Sequence, residues 1–134
     1  MQSSFEAKHE KRVLEGLRVL DFTRVLAGPY LTRHMRDMGA EVIKVEPPIT
    51  GEDSRYIPHI IRRGYSGYFM QQNCGKKSIS LDLKHPTAKE IVKGLTRVSD
   101  VIVENYKPGV MAGLGLDYPH LREANPRIVM CSIS

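Results

Sequence analysis

The sequence predicts an α/β fold, a parallel sheet with helical crossovers that is incomplete at the C-terminus. Three observations predict it: apolar strand segments alternate with segments of helical period, the longest apolar periodicities switch between 2 and 3.6 residues, and the last apolar segment stops at Ser134 with nothing after it to cover it.

The elements follow in order. Residues 1–13 form a polar, flexible lead-in, and residues 14–134 make one domain portion. Gly16 precedes the first strand, Leu17 to Phe22. Pro29 suits the first turn of a helix, where its missing N–H is not needed. Leu31, Met35 and Met38 then form an apolar stripe, and Gly39 stops the helix. Glu41 to Glu46 is the second strand, ended by Pro47-Pro48. Residues 47–66 are a long turn-rich connection of the kind that is usually functional. Tyr65 to Gln72 fits a short helix and Asn73 to Lys76 a turn. Ser78 to Leu83 alternates with period two. Pro86 opens the clearest helix, with Ala88, Ile91, Val92 and Leu95 on one face. Val101 to Val103 is a buried strand ended by Glu104-Asn105. Pro108-Gly109 opens a short helix that closes near Gly113 or Gly115, Asp117 caps another to about Ala124, and Arg127 to Ile133 is the final strand.

Composition narrows the function. Hydrophobic residues make up 41% and charged residues 26% of the 134, which is ordinary for a globular chain. The 20 basic residues exceed the 15 acidic ones, but they are dispersed and Trp is absent. That argues against nucleic acid and leaves a solvated surface or a small polyanionic ligand. No apolar run is long enough to span a membrane, and the polar start lacks a secretory h-region. Cys74 and Cys131 match no zinc spacing and read as reduced thiols.

Chemistry is sparse. No Gly-x-Gly-x-x-Gly or Walker A loop follows the first strand, so hydride and phosphoryl transfer lose weight. The five histidines form no metal set or triad, and no residue is assigned a catalytic or metal-binding role. Glu52-Asp53, and Glu104 with Asp100, read as turn and strand-end residues. Lys44 and Glu46 read as a solvated face. In parallel sheets ligands sit outside the carboxyl ends of strands. That singles out residues 23–28, 46–55, 82–85 and 105–107. A lysine there meets phosphate, a tyrosine stacks on a purine, and an asparagine bonds an adenine edge or an amide.

The ordered segments resemble class III CoA-transferases, the CaiB/BaiF family. The matching text runs from Leu14 to Pro29, from Gly39 to Glu46 and from Gly51 to Arg55, and includes Lys76 to Ile79, Val103 to Gly109 and Asn125 to Arg127. The resemblance implies a Rossmann-like large domain that binds coenzyme A and moves it between an acyl-CoA thioester and a carboxylic acid. By position, the CoA contacts fall at Val25, Leu26 and Ala27, at Leu81, Asp82, Leu83 and Lys84, and at Asn105, Tyr106 and Lys107. It also implies a homodimer at full length and a cytoplasmic protein, or a mitochondrial one in a eukaryote. Some members carry arginine at the positions of Pro47 and Gly113, so phosphate contacts are weakened here. No aspartate of this chain matches the family's nucleophile, so the expectation is a portion that holds part of the CoA site without the covalent chemistry. An acyl-CoA racemase of the same family, or a non-catalytic CoA-binding or interaction module, remains open, as do the acyl donor and acceptor.

Overall fold

A computed structural model describes residues 11–57, 60–62 and 64–134. The lead-in expected over residues 1–13 lies outside the described residues as far as residue 10, as do His9, Pro58, His59 and Arg63.

Five parallel strands form the sheet: β1 Arg18–Asp21, β2 Glu41–Glu46, β5 Lys77–Ser80, β6 Val101–Glu104 and β7 Val129–Ser132, in the spatial order β5-β2-β1-β6-β7. Helices α1 (Ala27–Asp37), α2 (Gly67–Asn73), α3 (Pro86–Arg97), α4 (Val110–Leu114) and α5 (Tyr118–Ala124) supply the crossovers. The alternation read from the sequence is thus the alternation observed.

Side chains alternate across the sheet, as strand geometry requires. Leu20, Val45 and Ile102 face α3, α4 and α5 and pack with Val92, Met111, Leu116 and Leu121. Val19, Val42 and Val103 face α1 and pack with Leu31 and Met35. Each fully buried Leu or Ile here contributes roughly 1.5–3 kcal/mol of apolar burial.

Each of the two expected helical stripes faces the core except at one position, Met38 in α1 and Ile91 in α3. In α1 the residues turned inward are Gly28, Pro29 and Thr32, while Met38 is exposed. A Cβ at Gly28 would stand 2.3 Å from the Thr23 side chain, so this close approach of helix to strand requires glycine. In α3 the inward residues are Ala88, Val92 and Thr96, which leaves Ile91 outside.

The connection after β2 is more ordered than its composition predicts. It contains a 3-10 turn, Asp53–Tyr56, and an antiparallel pair of short strands, β3 (Ile60–Arg62) and β4 (Tyr65–Ser66). Side-chain caps build it: Glu52 accepts from the Ser54 N–H, and Ser66 Oγ accepts from the Phe69 N–H to start α2. The expected strand over 78–83 ends at Ser80, and Leu81 and Leu83 pack against the core from the loop beyond it. Asp117 occupies the cap position of α5, but its carboxylate bonds His120 instead of a helix N–H. Both cysteines are free thiols.

Candidate functional site

The strand order fixes where a ligand can reach the sheet. From β1 the chain steps outward to β2 and β5, then returns to β6 on the other side of β1. The crossovers at β1 and β6 therefore leave in opposite directions, and a crevice opens between their carboxyl ends.

Asn105, just after β6, bridges that crevice. Its Oδ1 accepts from the Arg24 N–H at 2.8 Å, and its Nδ2 donates to the Arg24 carbonyl at 2.9 Å. Of the two roles open to this asparagine, the amide one is filled within the chain. The bond pair fixes Arg24, whose guanidinium stands 5.0 Å from the centre of the Tyr106 ring.

Beside this stack lies a cleft of about 420 Å³ lined by Arg24, Val45, Pro47, Leu81 to Lys84, Tyr106 and Leu114. Four expected residues on one loop, Leu81, Asp82, Leu83 and Lys84, therefore meet Tyr106 in one place. Asp82 Oδ1 accepts from the Lys84 N–H at 3.0 Å, which turns the loop at the strand's end. Val25 and Leu26 lie exposed between β1 and α1, and Ala27 lies exposed at the first position of α1, all outside this lining. Lys107 lines a separate hollow of about 690 Å³ beside β7, and Tyr106 borders both. The expected residues thus form one convergent group, a neighbouring turn and one outlier.

A buried ionic layer underlies the turn, and the expectation of a solvated face at Lys44 and Glu46 is overturned. Lys44 is 1% exposed and Glu46 3%. A charge on a central parallel strand has covered faces on both sides, so it must be paired. Lys44 Nζ donates to the Thr23 carbonyl at 2.8 Å and stands 3.9 Å from both Asp21 Oδ2 and Glu52 Oε2. Lys76 Nζ lies 2.9 Å from Asp21 Oδ2 and also reaches Thr32 Oγ1 and Asn73 Oδ1. Asp21 accepts from Thr23 and Thr32 as well. Burial opposes charge on Asp21, but Lys44 and Lys76 outweigh it and hold the carboxyl below its ordinary value. Burial pushes Lys76 down to about 8, against the pull of Asp21.

Glu46 serves the neighbouring loop. It takes Arg55 in a forked pair at 2.7 and 2.8 Å, with Ser78 Oγ at 2.6 Å. Burial would raise its pKa, yet the Arg55 and Ser78 bonds bring it down to about 2. The Arg55 guanidinium also lies 3.7 Å from the centre of the Phe69 ring. The sequence marks only that both signs of charge alternate inside an apolar strand with crossovers on either side; it carries no sign of the partners Asp21, Glu52 and Arg55.

Among the described residues no group of His, Cys, Asp and Glu is arranged to hold a metal, and no helix is long and apolar enough to cross a membrane.

Comparison with known proteins bears on this geometry. The sequence pattern that defines CoA-transferase family III matches residues 14–134. The succinyl-CoA:glutarate CoA-transferase of Mus musculus is 47% identical over 121 residues, which is 90% of this chain and 28% of that protein. The formyl-CoA:oxalate CoA-transferase of Rhodopseudomonas palustris is 43% identical over 122 residues, 91% of this chain and 29% of the relative. A crystal structure of a CaiB/BaiF family protein from Brucella suis superposes with a TM-score of 0.85 at 40% identity and covers 93% of this chain and 34% of that one. The chain spans about a third or less of the length of the relatives it matches.

Proposed function

Since the chain belongs to CoA-transferase family III, we propose that its cleft receives the CoA moiety of an acyl-CoA, as the CoA-binding part of an enzyme that moves CoA from a thioester onto a carboxylic acid. The observation that carries this reading is the convergence of Arg24, Lys84 and Tyr106 on one cleft at the reversal of strand order. CoA is a polyanion joined to an adenine and a long, largely neutral arm. Lys84 and Arg24 supply cations for its phosphates, the Tyr106–Arg24 stack a face for the purine, and Leu81 and Leu83 an apolar wall for the arm. The exposed turn at Val25 to Ala27 lends backbone groups at the start of α1. Asn105 holds that turn through Arg24, while Lys107 lines the separate hollow beside β7. The chain's assembly is proposed to be a homodimer.

Calorimetric titration of the chain with CoA tests the reading. Binding is expected, with Lys84→Ala and Arg24→Ala each weakening it about tenfold at low salt and less at high salt. No heat of binding, or equal affinity for CoA and phosphate-free pantetheine, would overturn it. Turnover of a thioester by the 134 residues alone would overturn the restriction to binding.

A further inference from the structure

Val25 is a β-branched residue with φ of 65°, in the left-handed region that favours glycine. Such a conformation persists only where the surroundings over-determine it. Here they do. Three consecutive residues, Thr23, Arg24 and Val25, each have backbone groups bonded to a side chain from a different part of the fold. Lys44 of β2 donates to the Thr23 carbonyl at 2.8 Å. Asn105 after β6 takes both backbone groups of Arg24. Glu52, from the connection after β2, accepts the Val25 N–H on Oε1 at 2.9 Å.

Glu52 is itself held firmly. It is 2% exposed, its own N–H donates to Glu46 Oε2 at 3.0 Å, and both Ser54 N–H and Ser54 Oγ donate to its carboxylate. Lys44 is its cationic neighbour. Capping the 3-10 turn needs only the Ser54 bonds, and a shorter serine or aspartate would serve there. The longer glutamate also reaches Val25, 27 residues earlier in the chain.

We propose that Glu52 is a positioning residue: its buried carboxylate keeps Val25 left-handed and so sets the backbone of Val25 to Ala27 against the bound ligand. The proposal rests on the CoA reading above for the ligand, but not for the conformation of the turn.

The test is a cycle of substitutions with two readouts on the whole chain. One is CoA affinity by calorimetry, and the other is hydrogen exchange of the Val25 amide by NMR, which needs no ligand. Glu52→Ala is expected to weaken CoA about tenfold and to expose the Val25 amide to exchange, with the far-ultraviolet circular dichroism unchanged. Glu52→Gln keeps an oxygen for the Val25 N–H and is expected to retain most of the affinity. In a Val25→Gly background, where the conformation carries no strain, Glu52→Ala should cost about threefold or less. Equal loss in the two backgrounds would overturn the proposal, because a merely structural glutamate acts regardless of residue 25. Should Glu52→Ala fail to fold, the same cycle with Glu52→Asp, which keeps the Ser54 bonds but is too short to reach Val25, decides between coupled and independent effects. If the unsubstituted chain binds no CoA, the functional reading falls, and exchange at Val25 still judges the positioning role: protection unchanged by loss of Glu52 would end it.

Discussion

Asp21 ends the central strand with no exposure to water, and two lysines share its carboxylate. Asp21→Asn leaves Lys76 and Lys44 short of a counter-charge in a dry site, and the expected cost is about 3–5 kcal/mol in urea denaturation. A loss within experimental error would mean that Thr32 and Asn73 suffice for Lys76. Lys76 gives a second prediction. Its folded pKa of about 8 lies below the ordinary 10.5, so the folded chain binds this proton less tightly than the unfolded chain. Between those values the unfolded state carries more protons, and stability therefore rises with pH across the window through this group. Lys76→Met should flatten that rise, as chemical denaturation on both sides of pH 8 would record.

At the scale of elements, the forked pair of Glu46 and Arg55 ties the 3-10 turn to β2. The folded pKa of Glu46, about 2, lies below the ordinary 4.5, so the stability it lends is complete above that ordinary value and is lost as pH falls toward 2. After allowance for solvent near Arg55, this is worth roughly 2 kcal/mol. In Glu46→Gln the acid limb of the stability curve should be shallower by that amount. Helix α3 gives a prediction of phase. Val92 is fully buried while Ile91 is 39% exposed. Val92→Ala should cost about 2 kcal/mol, and Ile91→Lys should stay within about 0.5 kcal/mol. Comparable losses in thermal melts would place Ile91 in the core after all.

For the molecule as a whole, the β/α alternation was legible because strands buried on both faces leave dense apolar runs, as at Val19-Leu20 and Ile102-Val103. The carboxyl ends proposed to face a ligand were picked out from that alternation alone. Residues whose role depends on a distant partner were not legible. Nothing near Lys44 or Glu46 names Glu52, Asp21 or Arg55 as the group that neutralises it, so both charges read as surface. The burial of Gly28 and Thr32 in α1 was hidden for a similar reason. Its most buried positions are small and polar, Gly28 and Thr32, because there it closes on Asp21, while Leu31 and Met35 pack on the apolar face of the sheet. Lys107 was grouped with the cleft by its place in the chain, while the turn at Pro108-Gly109 sets it toward the other hollow.

The order of the strands also sets a timetable. Among the described residues β1 is the first strand, and it is the middle one of the sheet. It can zip to β2 early, because α1 alone separates them, but its other edge must wait for β6. The bond from the Arg18 N–H to Asp100 Oδ2 closes a span of 82 residues. Long closures are entropically late, and they slow folding. Pulsed hydrogen exchange during refolding should protect Ile43 of β2 before Val103 of β6, and simultaneous protection would rule this sequence of events out. Asn105 lies immediately beyond β6, so the crevice it bridges comes into being only with that last closure. A ligand that grips the crevice would then act as a latch on the slowest step of assembly, and would lengthen the life of the folded chain by slowing its reopening more than by hastening its formation.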